Sequence, residues 1–334
     1  MPFQDLALPA AASFLVVLIG LWPLTRLLRR RNVLDIPVDR SSHSTPTPKG
    51  AGLLIVPTVI GAWFLSVSST SGSVDLTTMT IGAGAGALLV VSWIDDVRNL
   101  PPLLRLSLHF ACAIAGCLVI PGDDFILQGI APPMLDRAVT VLIWVWFINL
   151  FNFMDGIDGI SAIETLVIGG GLAALATLAV TLPDHLALLS VILVGAMMGF
   201  LPWNWHPARI FLGDSGSAPV GFLLGWLLIS LAAAGEWAIA LILPAYYLTD
   251  SGLTLSRRLL RGEKIWRAHR EHAYQHAAAM VGHARVSIYV AIAGLLFIAI
   301  AAGVATTKPF IALVLTAIVA AGFMFILNRL AQKR

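Results

Sequence analysis

The chain is poor in charge for its length. Charged residues make up 12% of its 334 positions, whereas soluble domains have roughly a quarter. This deficit excludes an ordinary soluble domain. Cysteine is almost absent, and both copies, Cys112 and Cys117, lie in one apolar segment. They are interpreted as small buried hydrophobic residues and carry no information about the redox compartment.

What the chain has in excess is apolar residues, at 58%. They fall in runs of about 20 residues, the length needed to cross a bilayer as a helix. We predict a single all-α, polytopic transmembrane domain over residues 1–334 with about eleven spans. The predicted spans are 8–28, 51–68, 76–94, 104–120, 138–153, 160–182, 185–201, 216–233, 236–255, 286–304 and 309–327. The first run, Leu8–Leu28, is too long for a signal peptide and lacks an A-x-A cleavage site, so we expect it to be retained.

The basic residues are distributed unevenly between the two sides of these spans. With the N-terminus outside, 19 of the 21 Lys and Arg residues fall on the inside, and only Arg137 and Lys308 fall outside. Such a bias predicts that the N-terminus is outside and the C-terminus inside. The loops on the inside, which we expect to form the active site, are 29–50, 95–103, 149–160, 202–216 and 256–285.

The stretch Asn149–Gly159 places two amides and two carboxylates where one predicted span ends and the next begins. Its polar members are Asn149, Asn152, Asp155 and Asp158. Such residues are costly at membrane depth unless they bind a ligand or face a polar cavity. We predict that both aspartates are catalytic and that both asparagines bind substrate. The alternative is a polar loop with two helix caps.

Adjacent carboxylates, Asp95 and Asp96, close the third span. Two neighbouring carboxylates do not both ionise cheaply in a low-dielectric site without a cation, so one of them is a candidate base. We predict catalytic roles for both and a metal-binding role for Asp96. A surface turn is the alternative.

The segment Gly213–Ser217 offers Asp214, two hydroxyls and free backbone N–H groups at the start of a helix. Such a group suits a hard divalent cation bridged to a diphosphate, and we predict that Asp214 is a metal ligand. Simple helix capping is the alternative.

Two basic segments complete the set of candidates. The loop around Thr45 and Lys49 precedes a glycine-rich helix start and suits phosphate contact. The longest inside loop carries five predicted substrate ligands, one of which is His272. The other four are Arg257, Arg258, His269 and Arg270. We expect the i, i+3 pair His269–His272 to share one helix face. Contact with anionic lipid is the alternative for both segments.

With these motifs in this order, the chain resembles the polyprenyl-phosphate N-acetylhexosamine-1-phosphate transferases. The resemblance rests on five motifs between Asp35 and Gln275: the T-P-x-x-G-like loop, the D-D pair, N-x-x-N-x-x-D-G-x-D-G, G-D-x-G-S and the R-R…H loop. It implies a Mg²⁺-dependent enzyme, with Mn²⁺ as an alternative ion. The reaction implied is transfer of a sugar 1-phosphate from a UDP-sugar to polyprenyl phosphate, with release of UMP.

The resemblance also implies a multi-pass protein of the bacterial inner membrane that initiates O-antigen or another wall polysaccharide. The basic loop reads H-R-E-H instead of the H-H-H of the peptidoglycan translocase. This difference favours an N-acetylhexosamine, or its 6-deoxy form, over muramoyl-pentapeptide, which is kept as the alternative donor. The expected partners are the donor, the acceptor lipid and the membrane, with no nucleic acid, and a homodimer is left open. A secondary transporter of an anionic solute is a further alternative, but its sites lie near the bilayer midplane and its sequence often shows paired halves, which are not visible here.

Overall fold

The protein is described by a computed structural model that covers residues 3–37, 42–120, 126–178, 184–264 and 269–332. The helices are α1 (Phe3–Arg30), α2 (Gly52–Ser71), α3 (Leu76–Arg98), α4 (Pro102–Leu118), α5 (Pro133–Met154), α6 (Ile160–Leu178), α7 (Asp184–Asn204), α8 (Asp214–Leu231), α9 (Trp237–Ile242), α10 (Ala245–Leu260), α11 (Ala273–Val281), α12 (His283–Ile300) and α13 (Pro309–Ala331). One short antiparallel pair joins β1 (Leu34–Asp35) to β2 (Thr47–Pro48). The predicted all-α, polytopic class is confirmed.

Eight helical segments in the described ranges are long and apolar enough to cross a bilayer, and α4 and the first part of α6 are shorter apolar helices. The predicted ninth span, 236–255, is divided between α9 and α10. Its break lies at Leu243–Pro244, because a proline inside a helix removes one backbone hydrogen bond and clashes with the preceding turn. The count of eleven spans and the orientation of the two termini stay predictions.

Helix α8 lies at the centre of the bundle. Almost every residue from Ser215 to Leu231 is buried, which explains why its sequence is apolar on all sides. Trp144 of α5 donates its indole N–H to the Phe222 carbonyl oxygen at 2.9 Å, and the two rings stack at 4.8 Å. A helix held this firmly gives its first residue, Asp214, a fixed position.

Close packing of α7 against α1 depends on small residues. A Cβ atom on Gly195 would overlap the carbonyl oxygen of Ala10, and one on Gly199 would overlap that of Phe14. Two glycines four residues apart allow two membrane helices to approach closely. Such close packing matters in lipid, because no hydrophobic effect drives the helices together there.

The polar motifs converge at one end of the bundle. The last turn of α3, the last turn of α5 and the first turn of α8 meet there, since Asp96 accepts from Ser215 N and Asn152 donates to Asp214. The start of α12 joins the same end through His283, which lies against Asp158. We call this end the site end.

Candidate active site

Asp96, which lies in the last turn of α3, stabilises the start of the central helix α8. Its carboxylate oxygens accept from the backbone N–H groups of Asp214, at 3.3 Å, and Ser215, at 3.0 Å. These N–H groups have no partner within α8, and the positive end of the helix dipole favours a negative charge there. Lys49 Nζ lies 3.5 Å from the same carboxylate. Asp96 thus joins α3, α8 and the loop before α2.

Asp95 is held by a different set of partners. It is buried, accepts from Leu100 N at 2.6 Å and pairs with Arg105 Nη1 at 2.6 Å. The same Arg105 atom lies 3.4 Å from Asp214 Oδ2. One guanidinium therefore lies between two carboxylates that would otherwise repel each other.

Asp214 is the accessible carboxylate of the group. Asn152 Nδ2 donates to its Oδ1 at 2.9 Å and also to Ser217 Oγ at 2.7 Å. The Asp214 side chain is 39% exposed, whereas that of Asp96 is 4% exposed. Asp214 is therefore the more accessible of these two carboxylates.

Two loops are joined backbone to backbone at the site. Gly50 N and Ala51 N both donate to the Phe211 carbonyl oxygen at 3.1 Å, and Phe211 N donates to Pro48 O at 2.8 Å. Gly213 has φ 75°, a value that L side chains rarely adopt. This pairing explains how a lysine so far away in the sequence comes to lie over the start of α8.

Asp155 lies in the connection between α5 and α6, where it accepts from Ser161 Oγ at 2.7 Å. Burial, reinforced by the negative charges of Asp214, Asp158 and Asp96, raises the pKa of Asp155 to about 7. Its carboxyl group is therefore able to take up and release a proton near neutral pH.

Asp158 lies in the same connection but has different neighbours. His206 Nδ1 is 2.6 Å and His283 Nδ1 is 3.3 Å from its two oxygens, and Ala208 N donates to it at 3.2 Å. Burial alone would raise the pKa of Asp158, but the hydrogen bonds from His283 and His206 lower it below its ordinary value.

The basic loop is partly neutralised by its own acids. Arg258 is buried and pairs with Glu263 at 3.0 Å and with Glu271, and Arg261 pairs with the same two glutamates. Burial, reinforced by His272 and Arg258, lowers the pKa of His269 to about 4, so its ring is neutral at pH 7.

His272 is anchored inside the fold. It is buried, and its Nδ1 lies 3.4 Å from Asp250, which also accepts from the backbone N–H groups of Ala273 and Tyr274. Asp250 thereby stabilises the start of α11 from α10. The prediction that His269 and His272 share a helix face is wrong, because His272 is the N-cap of α11 and His269 precedes it, although their rings lie 5.0 Å apart.

Seven of the nine predicted substrate ligands make no hydrogen bond or ion pair with the aspartates around the start of α8 in the ranges that the structure describes. They are Thr45, Asn149, Arg257, Arg258, His269, Arg270 and His272. Asn149 donates to Val145 O and lies 3.2 Å from His109 of α4. Thr45 and Arg257 are exposed, and Arg270 is half-buried. Their predicted roles stay predictions.

Comparison with known proteins agrees with the motifs. The model of glycosyl transferase family 4 matches residues 78–232. Decaprenyl-phosphate N-acetylglucosaminephosphotransferase of Mycobacterium tuberculosis (strain ATCC 25618 / H37Rv) is 29% identical over 84% of this chain and 78% of that protein. Phospho-N-acetylmuramoyl-pentapeptide-transferase of Thermosynechococcus vestitus is 32% identical over 74% of this chain and 69% of that protein. This chain belongs to glycosyl transferase family 4.

A third relative of this family 4 enzyme is the probable undecaprenyl-phosphate N-acetylglucosaminyl 1-phosphate transferase of Bacillus subtilis. It is 27% identical over 83% of this chain and 78% of that protein. The resemblance to the polyprenyl-phosphate N-acetylhexosamine-1-phosphate transferases is thereby confirmed. The segment matched by the family model contains Asp95, Asp96, Asn152, Asp155 and Asp214. The cluster of aspartates therefore lies within the family domain.

The oxygen atoms around the start of α8 fit a hard divalent cation. Asp96 and Asp214 are neighbours there, and Ser215 Oγ is buried without a hydrogen-bond partner among the described residues. Carboxylate and hydroxyl oxygens are the ligands that Mg²⁺ takes, and Mn²⁺ accepts them as well. Arg105 supplies positive charge at the same place.

Sequence reasoning missed three residues of the site: Arg105, His206 and His283. Arg105 lies ten residues after Asp95, and the turn at Asn99–Pro101 brings it back, so a basic residue shortly after a D-D pair was the available signal. His283 comes 125 residues after Asp158, and no sequence spacing indicates their contact.

Proposed function

We propose that this enzyme transfers an N-acetylhexosamine 1-phosphate from a UDP-linked donor to polyprenyl phosphate and releases UMP. A new bond forms between an oxygen of the acceptor phosphate and the β-phosphorus of the donor. The bond between that phosphorus and the UMP oxygen breaks, and its electron pair leaves with UMP. The products are a polyprenyl diphosphate sugar and UMP.

Both reactants are anionic, so the site must first offset their mutual repulsion. Lys49 and Arg105 carry positive charge at the start of α8, where the positive end of the helix dipole also lies. Phosphoryl-type transfer depends mainly on positioning and on charge neutralisation of this kind. Asp214 and Asp96, with Ser215 Oγ, would hold Mg²⁺, which when bound neutralises charge on the donor diphosphate.

We assign removal of the proton from the acceptor phosphate to the aspartate side chains of the site. The pKa of the Asp155 carboxyl group, about 7, lies within about one unit of the second pKa of a phosphate monoester, which is about 6. Asp95 is fixed in orientation by Arg105 and Leu100 N, and it stays the predicted base or nucleophile. This arrangement is compatible with direct attack and with attack through an aspartyl-phosphate.

One observation carries this proposal: the partly exposed Asp214 carboxylate opens the most buried helix of the bundle and is held by Asn152 and Arg105. An apolar acceptor lipid in the membrane would bring its phosphate to such a helix end. A transporter would need its polar residues near mid-depth. In this protein the carboxylates of the family motifs lie at the helix ends instead.

We further propose that the site end faces the cytoplasm of a bacterial inner membrane, with the N-terminus outside and the C-terminus inside. The distribution of Lys and Arg residues supports this orientation. For the donor, the departure of the H-R-E-H loop from H-H-H and the N-acetylglucosamine named for two relatives support UDP-N-acetylglucosamine or a 6-deoxy form. The muramoyl-pentapeptide donor named for one relative is the alternative.

The test is UMP release by the purified protein with polyprenyl phosphate, Mg²⁺ and a panel of UDP-sugars. We expect turnover with an N-acetylhexosamine donor and at least a 100-fold loss in Asp214→Asn, the scale for losing a group that stabilises the transition state. The matched control is Asp75→Asn, which changes a carboxylate before α3, at the opposite end of that helix from Asp95 and Asp96. Full activity of Asp214→Asn at low Mg²⁺ would contradict the site, and a preference for UDP-muramoyl-pentapeptide would contradict the donor assignment.

A further inference from the structure

Asp158, His206 and His283 form a cluster whose composition differs from that of the aspartates around Asp214. It contains two imidazoles and one carboxylate, and one ligand atom from each lies within 4.8 Å of the others. Asp158 comes from the α5–α6 connection, His206 follows α7 and His283 opens α12. The three residues meet only in the folded chain.

The surrounding hydrogen bonds fix this geometry in advance. Ser287 Oγ donates to Asp158 O at 2.8 Å, and Ala208 N donates to the Asp158 carboxylate at 3.2 Å. Gly159 N donates to Asn204 Oδ1 at 2.8 Å, and so ties the loop after α5 to the end of α7. Ligands that are held in place before binding lose little conformational freedom when an ion arrives.

Access to the group is open on one side. Asp158 and His283 are buried, whereas the His206 side chain is 44% exposed. The rings of His206 and His283 lie 5.0 Å apart, so both can turn toward a common centre. Solvent therefore reaches the group from the His206 side and would supply the fourth ligand of a bound ion.

We propose that Asp158, His206 and His283 form a binding site for a transition-metal ion of the zinc type, separate from the Mg²⁺-type site at Asp214. Two histidines and one carboxylate with an open fourth position are a donor set that Zn²⁺ accepts, at about 2.0–2.2 Å. Mg²⁺ prefers oxygen ligands and does not compete for imidazole. A bound ion ties the α5–α6 connection to the segment after α7 and to the start of α12, and it occupies a carboxylate of the D-G-x-D-G motif.

The experiment titrates the purified, tag-free protein with Co²⁺ in detergent and excess Mg²⁺, and follows the visible absorption of four-coordinate cobalt. We expect one equivalent to bind and Zn²⁺ to displace it. His206→Gln and His283→Gln should each weaken binding at least roughly tenfold, the scale seen when the surroundings of a metal site are damaged. His276→Gln is the matched control, because His276 is exposed on α11 outside the group.

Metal-free Tm values identify a variant that fails to fold, and half-exposed His206 is the safer of the two changes. Asp214→Asn should bind Co²⁺ as the wild type does, which separates this site from the proposed catalytic one. Absence of the cobalt bands in the wild type overturns the proposal. It is equally overturned if the folded His206→Gln variant binds with wild-type affinity, or if His276→Gln loses as much affinity as His206→Gln.

Discussion

Replacing Asp155 by Asn should make the protein more stable and less active at once. The pKa of the buried carboxyl is raised to about 7 in the folded chain, against an ordinary value of about 3.9 for an unfolded aspartate. The folded state therefore binds a proton more tightly than the unfolded state does. Stability is fully retained below the unfolded pKa and declines as the pH rises toward 7.

The magnitude follows from the difference between the two pKa values. A difference of about 3 units, at 1.36 kcal/mol per unit, makes the ionised Asp155 cost about 4 kcal/mol above pH 7. At pH 5 the folded protein keeps the proton, and the cost falls to about 1–2 kcal/mol. Asn carries no charge and preserves an oxygen that accepts from Ser161 Oγ. The variant should therefore gain most in stability at high pH.

The assay is thermal unfolding in detergent with EDTA, from pH 5 to pH 8. We expect the Tm of Asp155→Asn to exceed that of the wild type by several degrees at pH 8, and by much less at pH 5. The control is Asp75→Ala, which removes the N-cap of α3, where Asp75 accepts from Thr78 N at 2.9 Å. Partial burial alone would raise the pKa of Asp75, but the hydrogen bonds that it accepts from Thr78 lower it. The control should therefore lose about 1 kcal/mol at every pH in this range.

The reasoning is refuted if Asp155→Asn melts below the wild type at pH 8, or if its Tm difference does not change with pH. Either result would mean that the carboxylate is already compensated in the folded protein. Activity supplies the second half of the test. Turnover of Asp155→Asn should fall on the order of 100-fold, the usual scale for losing a general base.

Three further predictions concern the neighbouring groups. Arg105→Met should lower the Tm in detergent by several degrees, since it leaves the buried Asp95 unpaired, and an unchanged Tm would show that the ion pair contributes nothing. Asp95→Asn and Asp96→Asn should each reduce kcat on the order of 100-fold in the UMP-release assay, and losses under tenfold in both would reduce the pair to a structural role. Cysteines placed in the 257–285 loop should stay unlabelled by an impermeant reagent in intact cells, whereas labelling there would reverse the proposed topology.

The sequence alone was sufficient for the class of the fold. A low share of charged residues and repeated apolar runs predict a membrane protein. In a bilayer, only helices and closed barrels pair every backbone N–H and C=O group in a hydrogen bond. The motifs around Asp95, Asn152 and Asp214 were visible for the same reason. A carboxylate at the end of an apolar run is costly, so its presence indicates a site. Asp96 and Asp214 were predicted to share one metal, and they are neighbours in the fold.

The tertiary structure decided which groups face each other. The position of Lys49 over α8 results from backbone pairing between two distant loops, and no local pattern encodes such pairing. The same holds for Arg105 between two carboxylates and for His283 against Asp158. Spacing in a sequence reveals neighbours only within a single helix, where residues three or four positions apart share a face. Contacts between helices depend instead on how whole helix faces pack. The sequence indicates which face of a helix is buried, but it does not indicate which other helix packs against that face.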